Sequence, residues 1–381
     1  MPERGYLMIA DFTGYTAFLT QVGLQDAQPV IEDLFEAVLD SIQPPFVIAK
    51  LEGDAVFAYA PQGSFVQAQT LVESIEKVYI AFREARERIL LNNCDDHVCT
   101  PLADLDLKIV VHHGEYALST IAGRTELNGM DVILTHRLLK NSVFDNTGVM
   151  AYALFTDAAA QAMAMGDLAQ SMWWHMETVE HLGDVPGYVH DLEHTWLVHR
   201  DRRPSRIEEN DVWFVVEAEV PVSPALAWDY LHEPEHKRVW SQSDTLAVNL
   251  NPAGRVGIGA VHQCSHGETY FSHTIIDWNP FEYATFDVDG PFGSVIRYMT
   301  QVEPTENGAL VRWIWARPAT SGSVLQEGLV RVITPAMRFF FEGPAYEVAD
   351  IIRGLIEEDI SVGVIKPSLS SGFNFAAGGA L

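Results

Sequence analysis

The sequence is poor in cysteine, poor in cations and has no long apolar run. Three cysteines, Cys94, Cys99 and Cys264, stand in 381 residues. That is too few for a disulfide scaffold and fits reduced thiols in a cytoplasmic protein. The 24 Lys and Arg face 52 Asp and Glu, giving a net charge of −28, and both halves of the chain are acidic with no basic tract. Nonspecific nucleic-acid binding is thereby disfavoured, because it needs clustered cations to neutralise phosphates. A small polyanion would need metal and a few local cations. No run approaches the roughly 20 apolar residues of a membrane span. Met1-Pro-Glu-Arg-Gly5 has no apolar leader segment, so the expected location is cytoplasmic. Gly254-Arg-Val-Gly-Ile-Gly259 lacks the spacing of a dinucleotide loop and does not open a helix.

What is present is enough apolar residue, 48%, for two or three packed domains. The first organising stretch runs from Tyr6-Leu-Met-Ile-Ala-Asp11-Phe-Thr-Gly14-Tyr-Thr16 to Lys50-Leu-Glu-Gly53-Asp54. The apolar run Tyr6 to Ala10 predicts a strand covered on both faces. Asp11 ends that strand, and Phe12, Thr13, Gly14, Tyr15 and Thr16 form a turn into a helix, whose free N–H groups suit phosphate oxygens. Asp54 follows Gly53 in a tight turn between two further strands. If that hairpin lies beside the first strand, Asp11 and Asp54 meet at one sheet edge. Two converging carboxylates suit Mg²⁺, with substrate phosphates completing its shell.

Further along, a helix is expected to Leu91, capped by Ser64. A polar loop 92–104 follows and contains Cys94, His97 and Cys99. This Cys-x-x-His-x-Cys spacing reads either as part of a zinc site or as a surface loop with reduced thiols. Leu105 to Val111 predicts a buried strand leading into His112-His113-Gly114-Glu115. Met130 to Lys140 predicts a short helix, and Tyr188 to Val198 a closing strand. The stretch 201–210 is charged, contains Pro and reads as a linker.

Asp11-Phe-Thr-Gly-Tyr-Thr16, Lys50-x-x-Gly53-Asp54, His113-Gly114-Glu115 and Asn128-Gly129 with Arg137 resemble, in order, the signature blocks of class III adenylate/guanylate cyclase catalytic domains. The resemblance covers residues 1–200. It implies a ferredoxin-like α/β domain with a mixed sheet and a twofold homodimer whose sites combine residues of both subunits. It implies that Asp11 and Asp54 hold two Mg²⁺ or Mn²⁺ ions, that Lys50 and Glu126 read adenine, and that Arg137 stabilises charge at the α-phosphate. The implied reaction is ATP to 3′,5′-cyclic AMP and pyrophosphate. Two positions depart from the pattern: Ile133 stands where the family has a transition-state asparagine, and Leu182 where it has a triphosphate lysine. Asn128 or His136 are candidate substitutes. These departures keep open a rival reading, an inactive nucleotide-binding or dimerisation platform.

Residues 211–360 change character. Trp213 to Val220 reads as a strand, 224–231 as one short helix, and six later segments as strands separated by turn signals, before a long amphipathic stretch, Val324 to Glu358. Val222-Ser-Pro-Ala-Leu-Ala-Trp228, Glu233-Pro-Glu-His-Lys-Arg-Val-Trp240, Val256-Gly-Ile-Gly259 and the last helix resemble the START-like, polyketide-cyclase-like (SRPBCC) superfamily. That resemblance implies a helix-grip fold, an antiparallel sheet wrapped on a long C-terminal helix around an apolar ligand cavity. The overall fold class is then α+β in two domains. Trp240, Trp278, Tyr298, Trp313 and Trp315 are the candidate lining residues for a hydrophobic small molecule, or ordinary core. His262, His266 and His273 are possible bases if this domain is itself an enzyme. His232-Glu-Pro-Glu-His236 matches a zinc-protease pattern, but Pro234 breaks the continuous helix that chemistry needs. The segment 361–381, rich in Ser, Gly and Ala, reads as a flexible tail.

Overall fold

The structure, a computed structural model, describes residues 2–42, 44–92, 96–121, 124–320 and 324–367. The expectations at Cys94 and for most of the tail lie outside these residues. The chain is α+β with two sheets and divides into two compact units, Met1–Arg202 and Arg203–Leu381.

The first unit is built on β1 (Glu3–Thr13), followed by α1 (Tyr15–Val22), α2 (Leu24–Ser41), the hairpin β2 (Val47–Glu52) and β3 (Ala55–Pro61), and α3 (Ala68–Leu91). Then come α4 (Asp96–Ala103), the long β4 (Asp106–Ile121), β5 (Arg124–Asn128), α5 (Met130–Arg137) and α6 (Val143–Thr147). β6 (Tyr152–Thr156), α7 (Asp157–Ala162), α8 (Gly166–Gln170), β7 (Trp173–Val179), β8 (Gly183–Asp191) and α9 (Leu192–Asp201) complete it. The sheet order is β2-β3-β1-β4-β6-β8-β7, with β5 paired to β4. Only the β4–β6 pairing is parallel among these strands.

β1 is central because both its faces are buried. Tyr6, Met8, Ala10 and Phe12 join the core with α2 and α3, while Leu7 and Ile9 join a second cluster with Phe57, Val110 and Val132. The large side chains among them, Met8, Phe12, Leu7 and Ile9, contribute about 1.5–3 kcal/mol each. Register is therefore pinned from two sides, since a one-residue slip would exchange the faces.

Three local expectations are corrected. The loop 92–104 contains a helix, α4, despite Pro101 inside it. Ser64 does not cap α3, whose N-cap is Gln67. The closing strand stops at Asp191, whose carboxylate accepts from the His194 N–H at 3.0 Å and starts α9 instead.

The second unit holds β9 (Val212–Val220), α10 (Pro224–His232), α11 (Pro234–Trp240), β10 (Thr245–Asn249), β11 (Val261–His266) and β12 (Thr269–Asn279). β13 (Tyr283–Asp289), β14 (Val295–Thr305), β15 (Gly308–Ala316) and α12 (Val324–Ser361) follow. The seven strands run in the order β10-β11-β12-β13-β14-β15-β9 and every pairing is antiparallel. Met337, Ala345, Ala349, Ile352 and Ile356 of α12 share one core with inward residues of the sheet. The expected linker is anchored at its end: the Ser205 N–H donates to Asp277 at 2.6 Å, and Arg206 lies 4.2 Å over the Tyr283 ring.

Candidate functional site

The β1–β3 register sets Asp11 opposite Ala55, and the Phe12 N–H donates to the Asp54 carbonyl at 3.0 Å. The two acids are thus brought to the same edge. Burial pushes the Asp11 carboxyl up, Lys108 opposes this, and the Asp54 charge pushes it up further. The Asp54 carboxylate makes no hydrogen bond or ion pair among the described residues. A cation is therefore favoured between these carboxylates, and one is already built in. Lys108 of β4 lies directly across from Asp11, with its Nζ 3.2 Å from the carboxylate. The side chains are only 15% and 20% exposed, so the pair is poorly screened. Lys108 is the site residue the sequence did not reveal, because only the β1–β4 register places it there.

The turn after Asp11 is shaped for a backbone approach. Gly14 has φ 89°, the left-handed region, and no side chain caps α1. The Thr13 hydroxyl is buried without a partner. Tyr15 and Thr16 open the helix. Phe12, by contrast, is a core residue packed on Phe35 and Phe82, so only its backbone faces the turn.

A second group forms elsewhere in this unit. Lys50 lies 3.7 Å from Glu126 and 2.5 Å from Glu52, so the two expected base readers do meet. His136 joins them through Glu52 at 2.6 Å and rests on the Phe57 ring at 4.7 Å. Burial opposes ionisation of Glu52, but Lys50 and His136 outweigh it and hold the carboxyl below its ordinary range. Arg137 is exposed and donates to the Glu180 carbonyl at 3.3 Å. Ile133 is 48% exposed on the same helix and offers no donor. Leu182 packs against an apolar cluster. Asn128 is engaged with Ser119 at 2.8 Å. No hydrogen bond or ion pair among the described residues joins this group to Asp11 or Asp54.

The His113-Gly114-Glu115 block has a packing reason. A Cβ on Gly114 would collide with the Asp131 carboxylate, which accepts from the Glu115 N–H at 2.6 Å. Asp131 lies in the first turn of α5, so this contact docks the helix carrying Ile133, His136 and Arg137.

The metal test is mixed. Two carboxylates fit a Mg²⁺ site that substrate phosphates complete, but Lys108 competes for one of them. Among the described residues no group of three or more His, Cys, Asp or Glu could hold a metal ion. The zinc alternative at the second and third cysteine-loop ligands fails: His97 pairs with Asp26 at 3.2 Å, and Cys99 is disulfide-bonded, contrary to the reduced thiols expected there. Cys264 is a free thiol.

In the second unit Trp240 donates to the Tyr230 carbonyl at 3.1 Å, and Trp278 packs edge-on to Trp228. Tyr298 and Trp313 are buried, and Trp315 is partly buried. His232 ends α10 in the core, while His236 stacks on Tyr230 from α11. The Glu233-Pro234 corner separates them, so no helical zinc pair forms. No helix among the described residues is long and apolar enough to cross a membrane.

Residues 31–147 match the model of a family described as a protein of unknown function (DUF2652). An uncharacterized Mycobacterium tuberculosis protein, Rv2561/Rv2562, is 37% identical over 131 residues, or 34% of this chain and 58% of that protein. The match thus spans a little over half the length of that curated relative. Solved structures that resemble the chain include the guanylyl cyclase Cya2, at 16% identity and TM-score 0.40 over 50% of this chain and 92% of that one. A bacterial light-regulated adenylyl cyclase aligns at 11% identity and TM-score 0.38, over 52% of this chain and 57% of that one. The adenylyl cyclase CyaB from P. aeruginosa aligns at 12% identity and TM-score 0.37, over 50% of this chain and 95% of that one.

Proposed function

We propose that the first unit is a nucleotidyl cyclase-like domain that binds ATP with Mg²⁺ or Mn²⁺ at a homodimer interface and turns it slowly into 3′,5′-cyclic AMP and pyrophosphate. The observation that carries this reading is the pairing of the motif residues in two groups, Asp11 with Asp54 and Lys50 with Glu126. In this reading each site is assembled from two subunits, one supplying Asp11 and Asp54 and the other Lys50 and Glu126. Asp11 and Asp54 would hold the metal ions, two per site, which lower the pKa of the ribose 3′-hydroxyl and neutralise the triphosphate. The turn at Gly14, with Tyr15 and Thr16 opening α1, offers backbone N–H groups to phosphate, while the Phe12 N–H is held by the Asp54 carbonyl. The Lys50 ammonium donates to adenine N1, and Glu126 accepts from the 6-amino group. Arg137 is free to swing from the Glu180 carbonyl to developing phosphate charge.

Turnover is slow in this reading because the donor positions are apolar at Ile133 and Leu182. Losing one preorganised donor costs roughly 10²–10³ in rate. Those residues, with Lys108 seated on Asp11, also favour a second reading, nucleotide binding without catalysis. In either case the second unit would bind a hydrophobic small molecule and bias dimer geometry.

The test uses purified full chain with a fluorescent ATP analogue and Mn²⁺, together with a cyclic AMP assay. Metal-dependent binding and product, both lost in Asp54→Ala, support the enzyme. Metal-dependent binding without product supports the second reading. Absence of nucleotide binding overturns both.

A further inference from the structure

The second unit contains a concentration of chemistry that no part of the cyclase-like reading uses. Lys237, in the last turn of α11, is 3% exposed. Its Nζ lies 2.8 Å from His262 Nδ1 and 3.3 Å from the Tyr298 hydroxyl. That hydroxyl lies 3.0 Å from His273 Nδ1, and His273 Nε2 lies 3.3 Å from Cys264 Sγ. Sheet register assembles the set: His262 of β11 is opposite His273 of β12, and Tyr298 of β14 is opposite Phe286 of β13.

The groups facing Lys237 are His262 and Cys264 from β11, His273 from β12, Tyr298 from β14 and His232 from α10. None is a carboxylate, so the amine is buried without a counter-ion. Burial, barely offset by Cys264, holds Lys237 down from 10.5 to about 7. Burial, with Lys237 adding, keeps His273 down at about 3 and His262 far below its ordinary value. Burial also pushes the Tyr298 hydroxyl well up. At neutral pH the cluster therefore holds an amine that is about half unprotonated, with neutral imidazoles and an intact phenol.

Several donors here lack acceptors. In the tautomer whose Nδ1 accepts from Lys237, His262 carries its proton on Nε2, and that buried N–H has no partner. The indole N–H groups of Trp313 and Trp315 are buried and unpartnered as well. Buried donors left unpaired are costly, and a ligand with acceptor oxygens would satisfy them. The surroundings are aromatic. Phe214, Trp315, Tyr298 and Phe286 stack in series across four strands, at centroid spacings of 5.7, 4.9 and 4.7 Å. Lys237 Nζ lies 4.3 Å over the last ring.

We propose that Lys237 captures an apolar aldehyde or ketone as a Schiff base, with His262 as proton acceptor and Tyr298 as proton donor to the carbonyl oxygen. This deepens, and rests on, the ligand-binding role of the second unit. The Lys237 lone pair forms the N–C bond while the carbonyl π pair moves to oxygen, which takes the Tyr298 proton. One N–H proton passes to His262 Nδ1. The hydroxyl then takes that proton back from His262 and leaves as water as the C–O bond breaks. The remaining N–H proton returns to the Tyr298 oxygen. Amine and carbonyl become imine and water, and no other reactant is needed. A desolvated lysine beside a base and an acid is the arrangement this chemistry requires.

The test uses the full chain, naphthaldehyde and cyanoborohydride at pH 7, with peptide mass spectrometry to locate the reduced adduct. The Lys237 value is more than 3 units below that of an ordinary exposed lysine, about 10.4, so its unprotonated fraction is on the order of a thousandfold higher. Labelling of Lys237 at least a hundredfold faster than exposed Lys140 and Lys366 supports the proposal. Lys237→Met should lose the adduct yet still bind naphthylmethanol, which shows the unit is folded. Tyr298→Phe should keep the adduct but form it roughly a hundredfold more slowly, the size of a general-acid contribution. Binding of naphthylmethanol without preferential capture at Lys237 overturns the lysine's role alone. Tight binding of naphthoate with no capture of naphthaldehyde overturns it in favour of an anion site. Failure of both naphthylmethanol and naphthaldehyde to bind overturns the ligand-binding reading on which it rests.

Discussion

Lys237→Met exchanges a buried amine for an uncharged side chain of similar length, and its effect on stability follows from the lysine's own titration. The folded value is about 7 and the ordinary one 10.5. Between those pH values the unfolded chain binds one more proton than the folded chain, so wild-type stability rises with pH by about 1.4 kcal/mol per unit. The penalty relative to an unprotonated lysine is about 4 kcal/mol at pH 7 and about 2 kcal/mol at pH 9, and it vanishes above the ordinary lysine value. Methionine removes it at every pH. The lost hydrogen bonds to His262 and Tyr298 return about 1 kcal/mol each, leaving a net gain of about 2 kcal/mol at pH 7. That offset does not depend on pH in this range, so the difference in slope is the cleaner quantity. Urea unfolding of both proteins at pH 7 and pH 9 should show the variant's advantage shrinking by about 2 kcal/mol. Neighbouring Cys264 is present in both proteins, and its contribution largely cancels in the difference. Equal slopes would refute the reasoning, because they would mean that Lys237 stays charged through the range and has an anionic neighbour.

The remaining predictions concern the first unit. Lys108→Met frees the Asp11 carboxylate and should strengthen Mn²⁺-dependent nucleotide binding at least severalfold, because this mostly buried pair is worth at least the roughly 1 kcal/mol of an exposed one; weaker binding in a titration would show that Lys108 serves the phosphates. Lys50→Glu places a third carboxylate beside Glu52 and Glu126 and should lower the ATP-to-GTP affinity ratio by at least roughly tenfold, since a carboxylate can only accept hydrogen bonds. Gly114→Ala should cost about 1–3 kcal/mol through the collision with Asp131, read as a lower unfolding midpoint, with part of the loss recovered when Asp131→Ala is added.

The sequence was most informative where one residue type has a single physical use. The apolar run at Tyr6–Ala10 reads as a covered strand and Gly53-Asp54 as a turn, so Asp11 and Asp54 meet once the hairpin is set beside β1, and the β1–β3 register sets it there. Lys50 and Glu126 were paired by the motif resemblance. Register was invisible. Lys108 reads as one cation in an apolar strand until its partner across the ladder is known. Lys237, His262, His273 and Tyr298 are scattered over α11 and three strands, and only antiparallel pairing converges them. The one local hint was the alternation of His262 with Cys264, a period of two that puts both on one face. Helix α9 is hidden in the sequence because Leu192, Trp196, Leu197 and Val198 continue the apolar residues of β8, while the Asp191 cap that separates the two elements is a single residue. The bridge at Cys99 is invisible to composition, which speaks to disulfides in bulk and not to a single bond.

β4 touches both groups of the candidate site. Near its start Lys108 meets Asp11, and near its end the β4–β5 ladder sets Ser119 opposite Glu126. The sixteen residues between Asp106 and Ile121 act as one stiff rod whose side chains alternate faces. It cannot creep by a single step without turning every one of them inside out. A tilt of the far hairpin would be felt at the ammonium seated on Asp11. Loosening that seat and presenting Glu126 would then be a single mechanical event.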